Sequence, residues 1–301
     1  MAKGDDDVSG EADYLIVPGG AVYPLHVWGQ ELLSVSGLGE IGLEYQTTRG
    51  YGQHGQTVLG WRLTPRSISF QMSHAARSRR DFWAAREALL VAIRPYIGQA
   101  VTYRKVFPNG ARRDIQGWLR EGPSIEETDH HSFASSFVLE CPDPSFYDPA
   151  VQTITLAAGF PRAVALPVTL YTVQACPDDG FWCERAATVR GDAQYAGTWR
   201  SYPVIQIDGP YQWFRLENTR TGAYLTLSVS LDVGRTLTID LTPGTQSITD
   251  DLGNDRLNDR SAGSFIDFYL EAGSNEIVGD GGGVSSSTQV RVQYVNRYIG
   301  L

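Results

Sequence analysis

One glycine-rich run has the spacing of a dinucleotide-binding turn. The run Gly37–Gly42 matches the pattern G-x-G-x-x-G. Such a turn holds a pyrophosphate only when it follows a strand, opens a helix and precedes an acidic residue by about twenty positions. No Asp or Glu occurs between Tyr45 and Arg80, and the glycines at positions 50, 52 and 55 disfavour a helix. We interpret the run as a glycine turn between strands and predict no cofactor.

Two groups of polar residues have side chains that bind metals in other proteins. His130 and His131 follow three acidic residues at positions 126, 127 and 129. Adjacent residues of a strand point to opposite faces, so these side chains converge poorly on one ion. The second group offers oxygen ligands for calcium, but its spacing does not match an EF-hand loop. It comprises Asp250, Asp251, Asn254, Asp255 and Asp259. We predict polar loops in both places and no metal site.

The sequence also lacks the motifs of the common catalytic sites. It contains no Gly-x-Ser-x-Gly elbow, no His-Glu-x-x-His pair and no Walker motif. We therefore predict no catalytic residues and a protein that is not an enzyme. Cys176 and Cys183 flank a short loop and could form a small disulfide bridge, or they could remain free thiols.

The charge distribution is uneven along the chain. The net charge is −9, which argues against a general nucleic-acid coat. The stretch from Tyr45 to Arg80 nevertheless has several arginines and no acid. These arginines are candidates for a subunit interface or a channel surface, although counter-charges from elsewhere in the fold could equally pair with them. The candidates are Arg49, Arg62, Arg66, Arg77, Arg79 and Arg80.

Most of the chain has the alternation of short antiparallel strands. Ile68, Phe70 and Met72 would share one face of a strand, and the dipeptide Asn109-Gly110 is a strong hairpin signal. A single helix is predicted at about residues 79–96, with apolar positions at helical spacing. These include Phe82, Trp83, Leu89 and Ile93. The fold class is therefore mainly β, with one helix packed on the first sheet.

A chain of 301 residues is long for one core, so two domains are expected. The acidic start has no basic and apolar signal-peptide pattern, and no apolar run is long enough to span a membrane. Three prolines between positions 142 and 149 mark a boundary. We predict a flexible tail at residues 1–19, a β-sandwich at 20–150, a connecting region at 151–200 and a second β-sandwich at 201–301. The glycine-rich run Gly279–Ser287 is predicted to be a flexible turn.

The order of several segments resembles the distal tail proteins of siphophages. In the first half, Pro65–Phe70 is followed by an arginine-rich helix, a hairpin and Phe137–Tyr147. The second half is similar to the galectin-like C-terminal domain of that family. Its matching segments are Tyr202–Pro210, Glu217–Gly222, Gly234–Asp240 and Glu271–Ile277. The resemblance covers roughly residues 20–301 and depends on the order of these segments, because each is weakly specific alone.

The resemblance implies a structural role in the virion. It implies a homo-hexameric ring at the tail tip, built by the first domain, with a galectin-like domain outside. The expected partners are the tail tube protein, the tail-tip hub protein and the tape-measure protein. DNA would meet the ring only in transit through the channel, and no membrane is expected. The protein would be made in the host cytoplasm and reside in the tail tip of the virion.

Two other functions compete with this interpretation. A galectin-like sandwich is also a lectin fold, so a carbohydrate-binding module is the main alternative. Trp199, Tyr211 and Trp213 are the candidate glycan-stacking residues, unless they pack within the sandwich. A cell-wall hydrolase is a third possibility that no motif supports. Fold alone does not decide among these functions.

Overall fold

The chain folds into two compact units, which we call the first and second domains. The first comprises Met1–Pro149 and Arg297–Leu301, and the second comprises Ala150–Asn296. The structure is a computed structural model that describes residues 10–39, 41–93, 98–120, 122–159, 187–263, 268–285 and 287–301. The chain therefore leaves the first domain after Pro149 and returns to it at Arg297.

The first domain consists of antiparallel strands and one helix. The elements are β1 (Ala12–Ile16), β2 (Val22–Pro24), β3 (Gln30–Ser36), β4 (Leu43–Thr48), β5 (Thr57–Leu63), β6 (Arg66–Ala75), α1 (Arg79–Ile93), β7 (Ala100–Val106), β8 (Arg112–Leu119), β9 (Ser124–Glu127), β10 (Ser132–Cys141), β11 (Phe146–Tyr147) and β22 (Arg297–Tyr298). The main sheet has the strand order β2-β1-β7-β8-β10-β6-β3, to which β9, β11 and β22 are attached. Strands β4 and β5 form a separate two-stranded hairpin.

The second domain has its own antiparallel strands. They are β12 (Gln152–Gly159), β13 (Ala187–Tyr195), β14 (Val204–Asp208), β15 (Trp213–Asn218), β16 (Ala223–Leu227), β17 (Thr236–Asp240), β18 (Ser247–Asp250), β19 (Arg260–Gly263), β20 (Gly273–Gly282) and β21 (Gln289–Tyr294), with a 3₁₀ turn at Leu257–Asp259. Their order is β18-β17-β14-β21-β12-β13-β20-β15-β16-β19. Each domain has a separate hydrophobic core.

The predicted fold class is confirmed. The described chain is mainly β, with antiparallel sheets and one α-helix. Ile68, Phe70 and Met72 are fully buried on one face of β6, and the Asn-Gly dipeptide joins β7 to β8. No helix among the described residues is long and apolar enough to cross a membrane.

Helix α1 begins at Arg79, as the helical spacing of its apolar residues predicts. The Ser78 hydroxyl accepts a hydrogen bond from the Asp81 amide at 3.2 Å, and the Asp81 carboxylate lies in the positive first turn. Phe82, Leu89 and Ile93 are buried. Trp83, which the helical spacing predicts in the core, is 46% exposed on another side of the helix. The predicted helix end near residue 96 lies outside the described residues.

The predicted flexible tail at residues 1–19 is wrong in its second half. Strand β1 pairs with β7 and buries Leu15. Asp13 accepts a hydrogen bond from the Tyr103 hydroxyl at 2.5 Å and forms an ion pair with Lys105 at 3.2 Å. The acidic composition suggests disorder, but Lys105 neutralises Asp13 within the sheet, and Tyr103, about 90 residues away in the sequence, gives it a hydrogen bond.

The expected boundaries of the second half also need correction. Residues 151–200 are not simply a connecting region, because β12 pairs with β21 and β13 pairs with β20 within the second domain. At the other end, the predicted second sandwich includes Arg297–Leu301, which belong to the first domain. Cys176 and Cys183 lie outside the described residues, so their pairing stays open.

The predicted flexible turn at Gly279–Ser287 is also partly wrong, because strand β20 continues to Gly282. A Cβ atom on Gly279 would lie 2.5 Å from the Val189 side chain and 2.9 Å from the Phe214 ring. Glycine is required here because neighbouring side chains fill the space above the strand. Several of these glycines therefore serve close packing within the sheet.

Arg66 is a buried cation at the end of the first-domain sheet. Its guanidinium donates hydrogen bonds to the carbonyls of Pro144 at 2.8 Å, Gly37 at 2.6 Å, Leu38 at 2.7 Å and Ile299 at 2.5 Å. Burial lowers the pKa of this group, but arginine stays charged in proteins. One side chain thus joins three distant chain segments.

Replacing Arg66 should destabilise the first domain. Arg66→Met leaves four carbonyls without their donor, and we expect a loss of about 3 kcal/mol, since a hydrogen bond to a charged group contributes about 1.5–3 kcal/mol. Differential scanning calorimetry should show the loss. Arg62→Met is the matched control, because Arg62 pairs with Glu44 on the surface and such pairs contribute about 0–1 kcal/mol. Equal losses for the two variants would contradict this role of Arg66.

Stability of the first domain should fall in mild acid because of His74. This side chain is 2% exposed, stacks on Phe133 at 4.2 Å, and burial lowers its pKa to about 4. The unfolded chain accepts the proton near pH 6.5 and the folded chain does not, so protonation favours unfolding between pH 6.5 and about 4. We expect a loss of up to about 3 kcal/mol over this range. His74→Gln should make the free energy of unfolding depend less on pH in this range. An unchanged pH dependence would show that His74 does not cause the loss.

Candidate subunit interface

The glycine run Gly37–Gly42 connects two strands. It lies between β3 and β4, and no helix follows it. Gly37 has a positive φ of 87°, and a Cβ atom there would lie 2.1 Å from the Ser67 carbonyl oxygen. Its own carbonyl faces Arg66. The run therefore serves as a tight turn at the base of the hairpin.

The polar loop before β10 is held by its own hydrogen bonds. The Asp129 carboxylate accepts a hydrogen bond from the His131 amide at 2.6 Å, which lowers the pKa of Asp129. The Arg79 guanidinium donates to the His130 carbonyl at 3.0 Å and pairs with Glu127 at 3.3 Å. Across the described residues, no group of three or more His, Cys, Asp or Glu side chains is placed to bind a metal.

Asp250 organises the acidic loop of the second domain. Its carboxylate accepts hydrogen bonds from the Leu252 amide at 3.0 Å, from the Asn254 amide and side chain at 2.9 Å, and from Arg256 at 3.1 Å. These donors, with the Asn254 side chain contributing most, lower the pKa of Asp250 to about 2. Its oxygens are already occupied by protein donors, so the carboxylate closes a turn.

The arginine stretch does not form one continuous basic surface. Arg66 is buried and cannot face a channel or a neighbouring subunit, so this candidate is wrong. Arg62 pairs with Glu44 at 2.7 Å, and Arg49 donates to the Gln53 carbonyl at 3.1 Å within the hairpin loop. Arg79 pairs with Glu127 of its own chain. Ion pairs within the chain therefore involve two of the six arginines, and backbone carbonyls bind two others.

Two arginines of the set remain exposed at the start of α1. Arg77 lies 4.3 Å from the centre of the Trp28 ring, and Trp28 is 75% exposed. Arg80 is exposed on the first turn of the helix. Arg77 and Arg80 are therefore exposed, as Arg49 and Arg62 are, but unlike Arg62 and Arg79 they form no ion pair within the described residues.

The β4–β5 hairpin presents an apolar face that the chain leaves exposed. Cross-strand pairing places Leu43 opposite Leu63 and Tyr45 opposite Trp61 on one face. Leu43, Tyr45 and Trp61 are between 48% and 56% exposed. The opposite face carries the Glu44–Arg62 ion pair. The hairpin is therefore amphipathic and its apolar side faces outward.

Sequence reasoning missed this hairpin, because the arginines of the stretch were the more conspicuous feature. A usable signal was present in the sequence: apolar residues alternate at positions 43 and 45 and again at 61 and 63, on either side of a glycine-rich turn. That pattern predicts a hairpin with one apolar face. It does not reveal that the face stays uncovered.

The candidate glycan-stacking residues do not form an exposed platform. Tyr211 is 2% exposed within the core of the second domain, so it cannot stack on a sugar, and that candidate is wrong. Trp199 is half-buried. Trp213 is 42% exposed and lies against Gly282, where a Cβ atom would approach its indole nitrogen to 2.4 Å.

Comparison with known proteins identifies the second half of the chain. Residues 196–298 match the model of the siphovirus-type tail component family, C-terminal domain. The matched segment is about a third of the chain and lies almost entirely in the second domain. No curated protein matches the chain by sequence at a significant level.

Two solved structures are similar over nearly the whole chain. The SPP1 Dit protein (gp 19.1), described as a paradigm of the hub adsorption apparatus in phages that infect Gram-positive bacteria, has a TM-score of 0.57 at 11% identity and covers 95% of this chain and 98% of its own. The phage P2 baseplate in its activated conformation with Ca has a TM-score of 0.48 at 9% identity, and the match covers 97% of this chain and 99% of the baseplate chain. The SPP1 likeness shows a shared fold.

The resemblance to siphophage distal tail proteins is thereby confirmed. The chain is a structural tail protein of a long-tailed phage, and the lectin alternative is not favoured. The family is a structural component, which implies a role other than catalysis. The galectin-like description of the second domain stays a prediction.

Calcium should have no effect on the second domain. Because amide and guanidinium donors occupy the Asp250 oxygens, we expect the same melting temperature with millimolar calcium as with a chelator. Calorimetry in the two buffers measures this directly. A clear upward shift in calcium would contradict it, and Asp250→Asn would show whether this loop is responsible.

Proposed function

We propose that the first domain assembles into a closed ring, with six copies as the family resemblance implies, at the distal end of a phage tail. The ring would join the tail tube to the tail-tip hub. The observation that carries the proposal is the exposed apolar face of the β4–β5 hairpin. The protein would be assembled in the host cytoplasm and reside in the virion.

The hairpin needs a partner for physical reasons. An isolated two-stranded hairpin is marginally stable in water and needs a further packing surface. Among the described residues the two strands pair only with each other, and Leu43, Tyr45, Val58 and Trp61 are between 48% and 57% exposed. A continuous apolar face of this kind marks an interaction site. A hairpin that projects from every copy supplies the same contact at each step around a ring.

Ring closure requires two different surfaces on each copy. A head-to-tail interface closes when one rotation repeats around an axis, so the hairpin must meet a second surface of the next subunit. Apolar contacts would provide most of the affinity. The exposed charges of Arg77 and Arg80 would mainly set the register, since exposed ion pairs contribute only about 0–1 kcal/mol each.

The wider assembly follows from the same reasoning. The tail tube protein and the hub protein would contact the two sides of the ring, and the tape-measure protein would pass through its channel. DNA would meet the ring only in transit. The similar SPP1 Dit protein is a paradigm of a hub adsorption apparatus, which supports a hub partner for this chain.

Removing the apolar face should prevent ring formation. Val58 lies opposite Thr47, two residues along β4 from Tyr45, and so belongs to the same face. Tyr45 and Val58 are 56% and 57% exposed, so the double variant Tyr45→Ser/Val58→Ser should fold normally but lose the apolar contact. We expect the wild type to be a ring in native mass spectrometry and the variant to be monomeric, with unchanged circular dichroism.

The matched control is the opposite face of the same hairpin. Gln46→Ser/Thr48→Ser changes two exposed polar residues of β4 and should leave the ring intact. Rings of equal stability from both double variants would show that the hairpin face is not the interface. A wild type that stays monomeric even with the tail tube and hub proteins present would overturn the ring itself.

A further inference from the structure

Helix α1 has a second apolar side that faces outward. Its buried side carries Phe82, Leu89 and Ile93. On the exposed side, Trp83 is 46% exposed and Val91 is 62% exposed. The exposed positions between them include two alanines and one acid, Ala84, Glu87 and Ala88. A surface helix normally presents polar residues to water, so this outer side indicates a contact with another molecule.

We propose that the outer side of α1, defined by Trp83, Ala84, Glu87, Ala88 and Val91, is the docking surface for the β4–β5 hairpin of a neighbouring copy. This inference rests on the proposed ring and names the second of the two surfaces that the ring requires. Both surfaces belong to the first domain, and both are exposed within one chain. Each copy would thus offer a hairpin to one neighbour and a helix to the other.

The shapes of the two surfaces are complementary. The hairpin presents large side chains, Tyr45 and Trp61, from adjacent strands. The helix presents small residues, Ala84 and Ala88, one turn apart, so large side chains fit between the bulkier positions. Large residues that pack onto small ones give the close contact that a stable apolar interface requires.

The position of Trp83 is fixed before any partner binds. The Arg79 and Arg86 guanidinium groups lie 5.0 Å and 5.1 Å from the centre of the Trp83 ring. Cation–π contacts of this kind favour one orientation of the indole. A side chain that is already ordered loses less entropy on binding, which favours association.

Charge also matches across the proposed contact. Glu87 is the acid within the exposed stripe of the helix. The hairpin carries Arg49 near its tip, and its other arginine, Arg62, is already paired with Glu44. A contact between Arg49 and Glu87 would set the register of the hairpin along the helix, while the apolar residues contribute the affinity.

Cysteine cross-linking tests the proposed contact in the full chain. In a Cys176→Ser/Cys183→Ser background, Tyr45→Cys and Ala88→Cys are combined and treated with a short bismaleimide linker. Head-to-tail docking predicts a ladder of covalent multimers on a denaturing gel. The matched control, Gln46→Cys with Ala88→Cys, places the hairpin cysteine on the opposite face and should give at least about fivefold less multimer. Variants with only one of the two introduced cysteines should give no cross-linked species larger than a dimer.

A second variant tests the helix surface without cross-linking. Val91→Asp puts a charge in the apolar stripe and should abolish the ring in native mass spectrometry while circular dichroism is unchanged. Val233→Asp is the control, because Val233 is 72% exposed in the second domain, and its ring should remain.

The outcomes separate this inference from the proposed ring. Suppose that the wild type forms rings. If the Tyr45→Cys/Ala88→Cys variant then yields no ladder, or if Val91→Asp still forms rings, the helix is not the docking surface, and the proposed ring is unaffected. The helix is equally excluded if the Gln46 control cross-links as well as the Tyr45 pair. If the wild type forms no oligomer even with its tail partners present, the proposed ring is wrong, and the proposed docking surface is wrong as well.

Discussion

The buried guanidinium of Arg66 is the contact on which the first domain depends. It binds the turn at Gly37 and Leu38, the segment after β10 at Pro144 and the C-terminal tail at Ile299. A charge removed from water is costly unless hydrogen bonds replace its hydration. The chain supplies them with backbone carbonyls, whose positions depend on the fold being complete. The base of the hairpin, the exit from the sheet and the end of the chain are therefore ordered together.

This arrangement explains how a hairpin that makes few contacts can still be positioned. The turn that leads into β4 has its carbonyls bound by Arg66, and the Thr64 amide after β5 donates to the Gly42 carbonyl at 2.9 Å. Arg66 thus holds the turn before the hairpin to the sheet, and the Thr64–Gly42 bond holds the two ends of the hairpin together, while its apolar face remains in solvent. A contact surface held in place before association reduces the entropy lost on binding.

Short sequence patterns predicted those strands, turns and helices whose formation depends on neighbouring residues in the chain. Alternation identified β6, the Asn-Gly dipeptide identified the β7–β8 hairpin, and apolar residues at helical spacing identified α1. Arg66 could not be recognised as a buried cation, because its acceptors are up to 233 residues away in sequence. Composition likewise suggested a mobile start, although the acid in β1 has its partners on β7. The exposure of the hairpin and of Trp83 follows from the three-dimensional fold, which no short window contains.

The C-terminal residues make the second domain an insertion in the first. After the chain returns, β22 pairs with β11, the Arg297 guanidinium binds Asp143 and Ser145, and the Tyr298 hydroxyl donates to Asp148. Two chain segments connect the second domain to the first. Both would have to extend before the two domains could move apart, whereas with a single linker only one segment would. The second domain therefore stays attached through two covalent paths. The same tail binds Arg66, so this attachment and the fold of the first domain share one contact.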